Sequence, residues 1–367
     1  MAHIAIDARI INSSTGRYVE RLIFYLEKID TTNTYTILVR KKDESFYTPA
    51  NKNFTIKVAD FDNYSLAEQF SFKKFLDALS PDLVHFCMPQ QPILYNGAKI
   101  TTFHDLTLLN TYNSDKNWLV YHFKQTVGRF VFKHVARSNP TLLSPTQFTK
   151  DELVKFAGIS PNKVVVTYEA ADPPATSPKP YPLPFKEYIM YVGQQPDYKN
   201  IRHLAAAHQK LLQNHPNLGL VLVGKKAADT LANEAFFAAK GYKNITFTGF
   251  VDDHELTWLY KNTKVYVFPS LMEGFGLPGL EAMASGAPVA SSNATCLPEV
   301  YGDAAHYFSP VDTKTIAEAI DDILTNKPLR DELIKKGYKQ VEKYSWRRMA
   351  EQTHAEYLKI LTKTSGQ

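Results

Sequence analysis

Val265-Tyr-Val-Phe-Pro-Ser-Leu-Met-Glu-Gly-Phe-Gly-Leu-Pro-Gly-Leu-Glu281 is the stretch whose reading decides the fold. Val265 to Phe268 is a short β-favouring apolar run, the mark of a buried strand. Gly274 and Gly276 make a turn, and Pro278 suits the first turn of a helix, where its missing N–H costs nothing. Glycines just ahead of a helix let backbone N–H groups approach an anion, and the helix N-terminus adds partial positive charge. In open α/β sheets such a turn lies outside the carboxyl end of a strand, where ligands bind. Glu273 and Glu281 bracket the turn. Carboxylates repel phosphate but accept well from paired hydroxyls, so one ligand that fits has a phosphate between two polyols: a sugar nucleotide. A helix capped by turn glycines with two solvated glutamates fits the same residues.

The pattern around this stretch repeats. Strands are expected at His3–Asp7, Tyr35–Arg40, Phe54–Ala59, Asp82–Cys87, Lys99–His104, Thr141–Ser144 and Lys163–Thr167, with helices over Gly16–Ile29, Leu66–Leu79 and Asn117–Ala136. A second series runs through Glu187–Gly193, Leu218–Gly224, Asn244–Thr248, Lys264–Phe268 and Pro288–Ser291. Strands alternating with helices predict parallel sheets with helical crossovers. Between the series lie Pro173, Pro174, Pro178, Pro180, Pro182 and Pro184, which neither a helix nor a central strand tolerates. A chain of 367 residues exceeds the size at which one core stops growing. The expectation is therefore a first domain over 1–173, a linker over 174–186, a second domain over 187–344, and a final amphipathic helix over 345–367 that returns to the first. On that helix Trp346, Met349, Ala350, Tyr357 and Leu361 share a face.

Composition narrows the class. A hydrophobic fraction of 44% and a charged fraction of 22% are those of a folded soluble chain. Two cysteines, Cys87 and Cys296, do not make a disulfide framework and point to a reducing compartment. The start, Met-Ala-His-Ile-Ala-Ile-Asp7, lacks the basic segment of a signal peptide, and no apolar run approaches the roughly 18 residues of a membrane span. A cytoplasmic protein is expected. The net charge of +5 is too thin for nucleic acid, but leaves room for an anionic ligand or for peripheral contact with the inner face of an acidic membrane. Oligomeric state is not legible.

Glu273-Gly-Phe-Gly-Leu-Pro278, with Glu281 after seven intervening residues, resembles the donor motif of the family 4 retaining glycosyltransferases, which have the GT-B fold. Ala284-Ser-Gly-Ala-Pro-Val289, Leu297-Pro-Glu-Val300 and Gly302-Asp303 extend the likeness. The resemblance implies two Rossmann-like parallel-sheet domains facing a central cleft. It further implies that Glu273 meets donor-sugar hydroxyls, that Gly274, Phe275, Gly276 and Leu277 present backbone to the sugar or diphosphate, and that Glu281 holds the ribose. Tyr191-Val-Gly-Gln-Gln-Pro-Asp-Tyr-Lys-Asn200 is similar to the family's glycine–lysine phosphate site, with Gly193 at the turn and Lys199 facing the leaving diphosphate. The family often carries Arg where this chain has Gln194, so more rests on Lys199 unless Arg202 reaches in. Phe250 and Val251 match the stretch beside the nucleobase; the same stretch also reads as a helix start with Asp252 as N-cap and Glu255 completing a capping box.

In the first half, Ser13-Ser-Thr-Gly-Arg-Tyr-Val19 resembles the family's glycine-rich turn, reduced here to Gly16, with Arg17 beside it. Thr102-Phe-His-Asp-Leu106 matches the segment with the active-site histidine, His104; a structural His-Asp pair is the other reading. Glu169, in Thr167-Tyr-Glu-Ala-Ala-Asp172, is given little part in substrate contact, and Thr146 is expected to cap a helix. Asp60-Phe-Asp62 has the spacing of the metal-binding pair of the other major glycosyltransferase fold, but sits in the wrong pattern and is read as a solvated loop. His203, His208 and His215 form no ligand set at recognised spacing, and His254 and His306 are read as incidental. Trp118 to His134, nearly continuous in apolar residues, is read as a core helix rather than an interfacial one.

The resemblance thus implies transfer of a hexose from a GDP- or UDP-sugar to a glycan, lipid-linked or small-molecule hydroxyl, with retention, no cofactor and no metal. Catalytic roles fall to His104, Lys199 and Glu273. Competing readings are another sugar-nucleotide enzyme on the same fold, a sugar-nucleotide-binding protein of weak activity, and an interaction protein. Mannose is expected from the Ile6-Asp-Ala-Arg9 start and the Gly16-Arg-Tyr18 turn, with glucose next.

Overall fold

The computed structural model describes residues 1–63, 65–110 and 118–365, and leaves the side chains of residues 108, 110, 118–124, 364 and 365 undescribed. The chain divides into two compact units: Met1–Glu169 together with Ser345–Gln367, and Ala170–Tyr344.

The first unit is built on a parallel sheet of seven strands among the described residues: β1 (His3–Asp7), β2 (Thr34–Val39), β3 (Phe54–Val58), β4 (Leu83–Phe86), β5 (Lys99–Thr102), β6 (Thr141–Ser144) and β7 (Val164–Val166). Their order is β3-β2-β1-β4-β5-β6-β7, so the winding reverses between β1 and β4. Residues such as Ile4, Ile6, Ile37, Val84 and Ile100 are fully buried, as expected of strands covered on both faces. The helix Gly16–Ile29 follows β1 and buries Tyr18, Val19, Leu22, Ile23 and Leu26 at helical spacing. The last helix, Trp346–Ser365, packs against it and buries Trp346, Met349, Ala350, Thr353, Tyr357 and Ile360. Ile360 rather than Leu361 completes that face, because Leu361 stays half-buried. The expected helix over 66–79 is a π-turn, Glu68–Phe72, running into the helix Lys73–Leu79. The wide turn coincides with a buried Glu68 aimed at Arg9. Of the stretch from Trp118 to His134, the side chains described from Gln125 onward put Phe132 in the core with Phe103 and Leu153, while Val127 and Phe130 are exposed.

The second unit holds a parallel sheet of six strands among the described residues: β8 (Glu187–Val192), β9 (Leu218–Val223), β10 (Ile245–Gly249), β11 (Val265–Phe268), β12 (Val289–Ser292) and β13 (Ala305–Phe308). Their order is β10-β9-β8-β11-β12-β13, with the reversal between β8 and β11. β13 has no counterpart in the sequence reading. Its four residues, flanked by Gly302-Asp303 and Ser309-Pro310, are too few to show a period. The proline-rich stretch carries neither helix nor strand and is held to this unit. Ala175 N–H donates to Thr257 Oγ1 at 3.0 Å, Lys179 N–H to the His254 carbonyl at 3.1 Å, and the Tyr181 hydroxyl to the Thr248 carbonyl at 3.3 Å. Among the described residues no helix is long and apolar enough to cross a membrane.

Candidate active site

At a reversal of strand order the two neighbouring loops leave in opposite directions and open a crevice at the carboxyl edge. In the second unit those loops follow β8 and β11, and they carry Gly193–Lys199 and Glu273. Gly193 has φ of 140°, and its N–H donates to the Val223 carbonyl at 2.9 Å. The Tyr191 hydroxyl ties down the Gln194 carbonyl at 2.7 Å, leaving the Gln194 side chain in solvent. Asn200, buried and left-handed at φ 64°, donates from Nδ2 to the carbonyls of Pro269 at 3.0 Å and Pro310 at 2.7 Å. Leu271 N–H donates to the Tyr198 carbonyl at 2.8 Å. The lysine loop is thus fastened to the loop after β11.

The fastening brings Lys199 Nζ to 2.7 Å from Glu273 Oε1, with the two side chains only 17% and 11% exposed. Burial works against the ammonium, but the Glu273 carboxylate more than offsets it, so the Lys199 pKa is raised. Glu273 is itself fixed through its backbone. Its N–H donates to Thr295 Oγ1 at 3.2 Å and its carbonyl accepts from Cys296 Sγ at 3.2 Å. Gly274, Phe275 and Gly276 are buried, with Phe275 edge-on to Tyr344 at 5.6 Å. Gly276 has φ of 92°, and a Cβ there would lie 2.6 Å from the Tyr301 hydroxyl, which donates to the Gly276 carbonyl at 2.5 Å. Only glycine fits that turn. The helix Leu277–Ala284 then begins with Pro278 in its first turn, and half-buried Glu281 receives the Tyr260 hydroxyl at 3.4 Å.

At the end of β10, Phe250 is 73% exposed while Val251 is buried. Lys225 Nζ lies 5.8 Å from the Phe250 ring centre. The Asp252–Glu255 capping box is present in full. Arg202 is occupied elsewhere: its Nε donates to Asn233 Oδ1 at 3.0 Å and its guanidinium covers Phe236.

In the first unit, Gly16 opens its helix directly over the 10–11 backbone, and a Cβ would fall 1.9 Å from the Ile11 carbonyl oxygen. Arg17 is half-buried on the same turn. His104 follows β5. Its Nε2 lies 3.0 Å from the Cys87 carbonyl, its Nδ1 3.4 Å from Glu169 Oε1, and the Tyr18 ring meets it edge-on at 4.7 Å. Both ring nitrogens therefore face acceptors. Glu169, given little part by the sequence, is the buried partner of this histidine; the only hint was its place just past a strand end. Behind them runs a buried chain, Tyr357 to His85 at 2.5 Å, His85 to Thr102 at 2.8 Å and Thr102 to Tyr18 at 2.9 Å.

The sequence also missed a closed ion cluster. Arg9 bonds Asp7 twice at 2.8 Å, Glu68 at 3.0 Å, and the carbonyls of Phe61 and Gln90 at 3.0 and 3.4 Å. Asp60 and Asp62 grip Arg40, each at 2.8 Å.

Residues 178–340 match the model of "Glycosyl transferases group 1", and residues 15–173 that of "Glycosyltransferase Family 4". O-antigen chain mannosyltransferase B of Escherichia coli is 31% identical over 69% of this chain and 68% of its own length. The chain belongs to glycosyltransferase family 4. It is a glycosyltransferase with the GT-B fold. The serotype-specific mannosyltransferase WbdA of Escherichia coli is 32% identical over 55% of the chain, a match spanning only 26% of WbdA. Among solved structures, sucrose-phosphate synthase from Thermosynechococcus elongatus matches with a TM-score of 0.78 at 18% identity, over 99% of this chain and all of that one. HepE of Anabaena, in complex with UDP and glucose, matches with a TM-score of 0.73 at 15% identity, over 98% and 99%. At these identities the two structures bear on the fold of this family 4 member and not on its substrates.

Proposed function

We propose that this chain transfers mannose, with retention, from a nucleoside-diphosphate mannose to a hydroxyl of a glycan. The observation that carries the proposal is the Lys199–Glu273 pair at the strand-order reversal of the second unit. An ammonium has three donors, and among the described residues the only hydrogen bond of the Lys199 ammonium is to Glu273. The remaining donors suit the diphosphate oxygens, where positive charge stabilises the leaving group as the anomeric C–O bond breaks. The carboxylate of Glu273 retains lone pairs for sugar hydroxyls, Glu281 takes the ribose, and exposed Phe250 offers the base a stacking face.

In this reading no protein nucleophile attacks the sugar. The acceptor oxygen bonds the anomeric carbon on the face the phosphate leaves, and the departing phosphate oxygen takes the acceptor proton. Lys199 is the counter-charge to that diphosphate, without a required metal. His104, backed by Glu169, is assigned to the sugar and acceptor hydroxyls. Mannose is favoured because several relatives near 30% identity carry mannosyltransferase names; GDP is the expected nucleotide, with UDP-glucose the alternative donor.

The test is a thermal-shift panel of UDP, GDP, ADP and their sugars. GDP-mannose in saturating excess is expected to stabilise the protein by about 3–4 kcal/mol. If no nucleotide moves the melting temperature, the donor site is wrongly assigned. Glu281→Ala is expected to weaken nucleotide binding without unfolding the chain. A tight binder that releases no sugar with any acceptor favours the binding-protein reading, for which the uncharged Gln194 is the sequence's argument.

A further inference from the structure

Among the described residues four non-glycine residues have positive φ: Ser80, Asn200, Asn244 and Thr295. Asparagine tolerates that region, and Ser80 closes a helix. Thr295, at φ 56°, is different. It is β-branched, and for such side chains the left-handed region is a true outlier that persists only where the surroundings impose it. Thr295 lies in the turn after β12, and in this conformation its hydroxyl accepts the Glu273 N–H at 3.2 Å. Its neighbour Cys296 donates Sγ–H to the Glu273 carbonyl at 3.2 Å. Two consecutive residues therefore hold both polar backbone atoms of the one residue whose carboxylate meets Lys199.

We propose that Thr295 is a positioning residue for Glu273, its unfavourable backbone conformation maintained because it fixes the carboxylate that reads the donor sugar. This rests on the donor-site reading above and extends it to a residue that touches neither sugar nor phosphate. The strain and the function make opposite demands on this position. Glycine relieves the strain and deletes the hydroxyl; serine keeps the hydroxyl and lightens the strain. A purely structural threonine has no reason to distinguish a nucleotide from its sugar conjugate.

The experiment measures the affinity of the full chain for GDP and GDP-mannose, and for UDP and UDP-glucose, by calorimetry. The quantity of interest is the sugar increment, the ratio of the two dissociation constants within each pair. Thr295→Gly is expected to shrink the preferred pair's increment about tenfold, the usual weight of one hydrogen bond, to leave the bare nucleotide within about twofold, and to melt no lower than wild type. Thr295→Ser is expected to keep the increment within about twofold. A Thr295→Gly protein with the full increment, or a Thr295→Ser protein that loses as much as the glycine variant, overturns the proposal. So does a glycine variant that melts well below wild type. Wild-type protein that binds none of the four defeats the donor site itself and this proposal with it, an outcome distinct from any behaviour of the variants.

Discussion

Two ion clusters stand just past the central strands of the two sheets, and they are built to opposite ends. Arg9 is enclosed by Asp7, Glu68 and two carbonyls, and its side chain has no exposure. Protein groups answer its guanidinium on every nitrogen. Lys199 has one carboxylate, two aromatic rings at 5.2 and 5.8 Å, and a side chain that keeps 17% exposure. A closed cluster holds its own loops in register; an open one has valence left for something that arrives. The resemblance drew attention to Lys199, but the difference in saturation is an independent reason to assign it the ligand.

The largest effect is expected where the cluster is closed. Arg9→Met leaves two buried carboxylates without their cation and should cost about 3–5 kcal/mol in urea unfolding. A loss below about 1 kcal/mol breaks the contrast. Next comes Lys199→Met, which should weaken nucleoside-diphosphate binding about a hundredfold, close to 2.7 kcal/mol, while costing the fold far less than Arg9→Met. Equal stability losses in the two variants make Lys199 structural.

Acidification sharpens the comparison from another side. Burial, then the neighbouring His104, lowers the His85 pKa to about 3. A histidine held neutral in the fold but protonated near pH 6.5 when unfolded stabilises above pH 6.5, and that stability drains as pH falls toward 3. The loss should be about 2 kcal/mol between pH 7 and 5. His208 of the second unit, lowered to about 4 by burial, adds a similar limb that ends sooner. Unfolding at both pH values, with His85→Gln flattening part of the slope, checks this. The smallest effect is expected from Glu169→Gln, which keeps the shape beside His104 but removes the charge. Donor turnover should fall about tenfold while GDP affinity stays put; a fall in GDP affinity removes Glu169 from its assigned task.

Local patterns were legible and remote pairings were not. The strand His3–Asp7, the helix Gly16–Ile29, the Thr146 cap and the Asp252–Glu255 box each depend on residues within a few positions, and each was read correctly. The Arg9–Glu68 bond joins residues 59 apart and the Lys199–Glu273 bond residues 74 apart, spacings at which one sequence carries no pairing signal. The motif resemblance put Lys199 and Glu273 in one site but said nothing of their contact. Periodicity failed for β13, which is too short, and for the π-turn at Glu68–Phe72, whose extra residue mimics an ordinary helix in sequence. Gln194 drew notice for its chemistry, whereas its neighbour Gln195, buried and bonded by Asn233, gave no sign.

The two cysteines have a practical consequence. Cys87 lends its carbonyl to His104 and Cys296 its thiol to Glu273, so each unit carries one cysteine beside its candidate residues. Both are buried, and burial pushes both thiols well above their usual range, which makes them slow to react with alkylating reagents while the surrounding chain stays shut. Labelling rates at the two sulfurs therefore clock local opening of each unit separately in the unmodified protein. A bare nucleoside diphosphate seated on the second unit should slow modification of Cys296, a mass-spectrometric reading of occupancy that needs neither a known acceptor nor turnover.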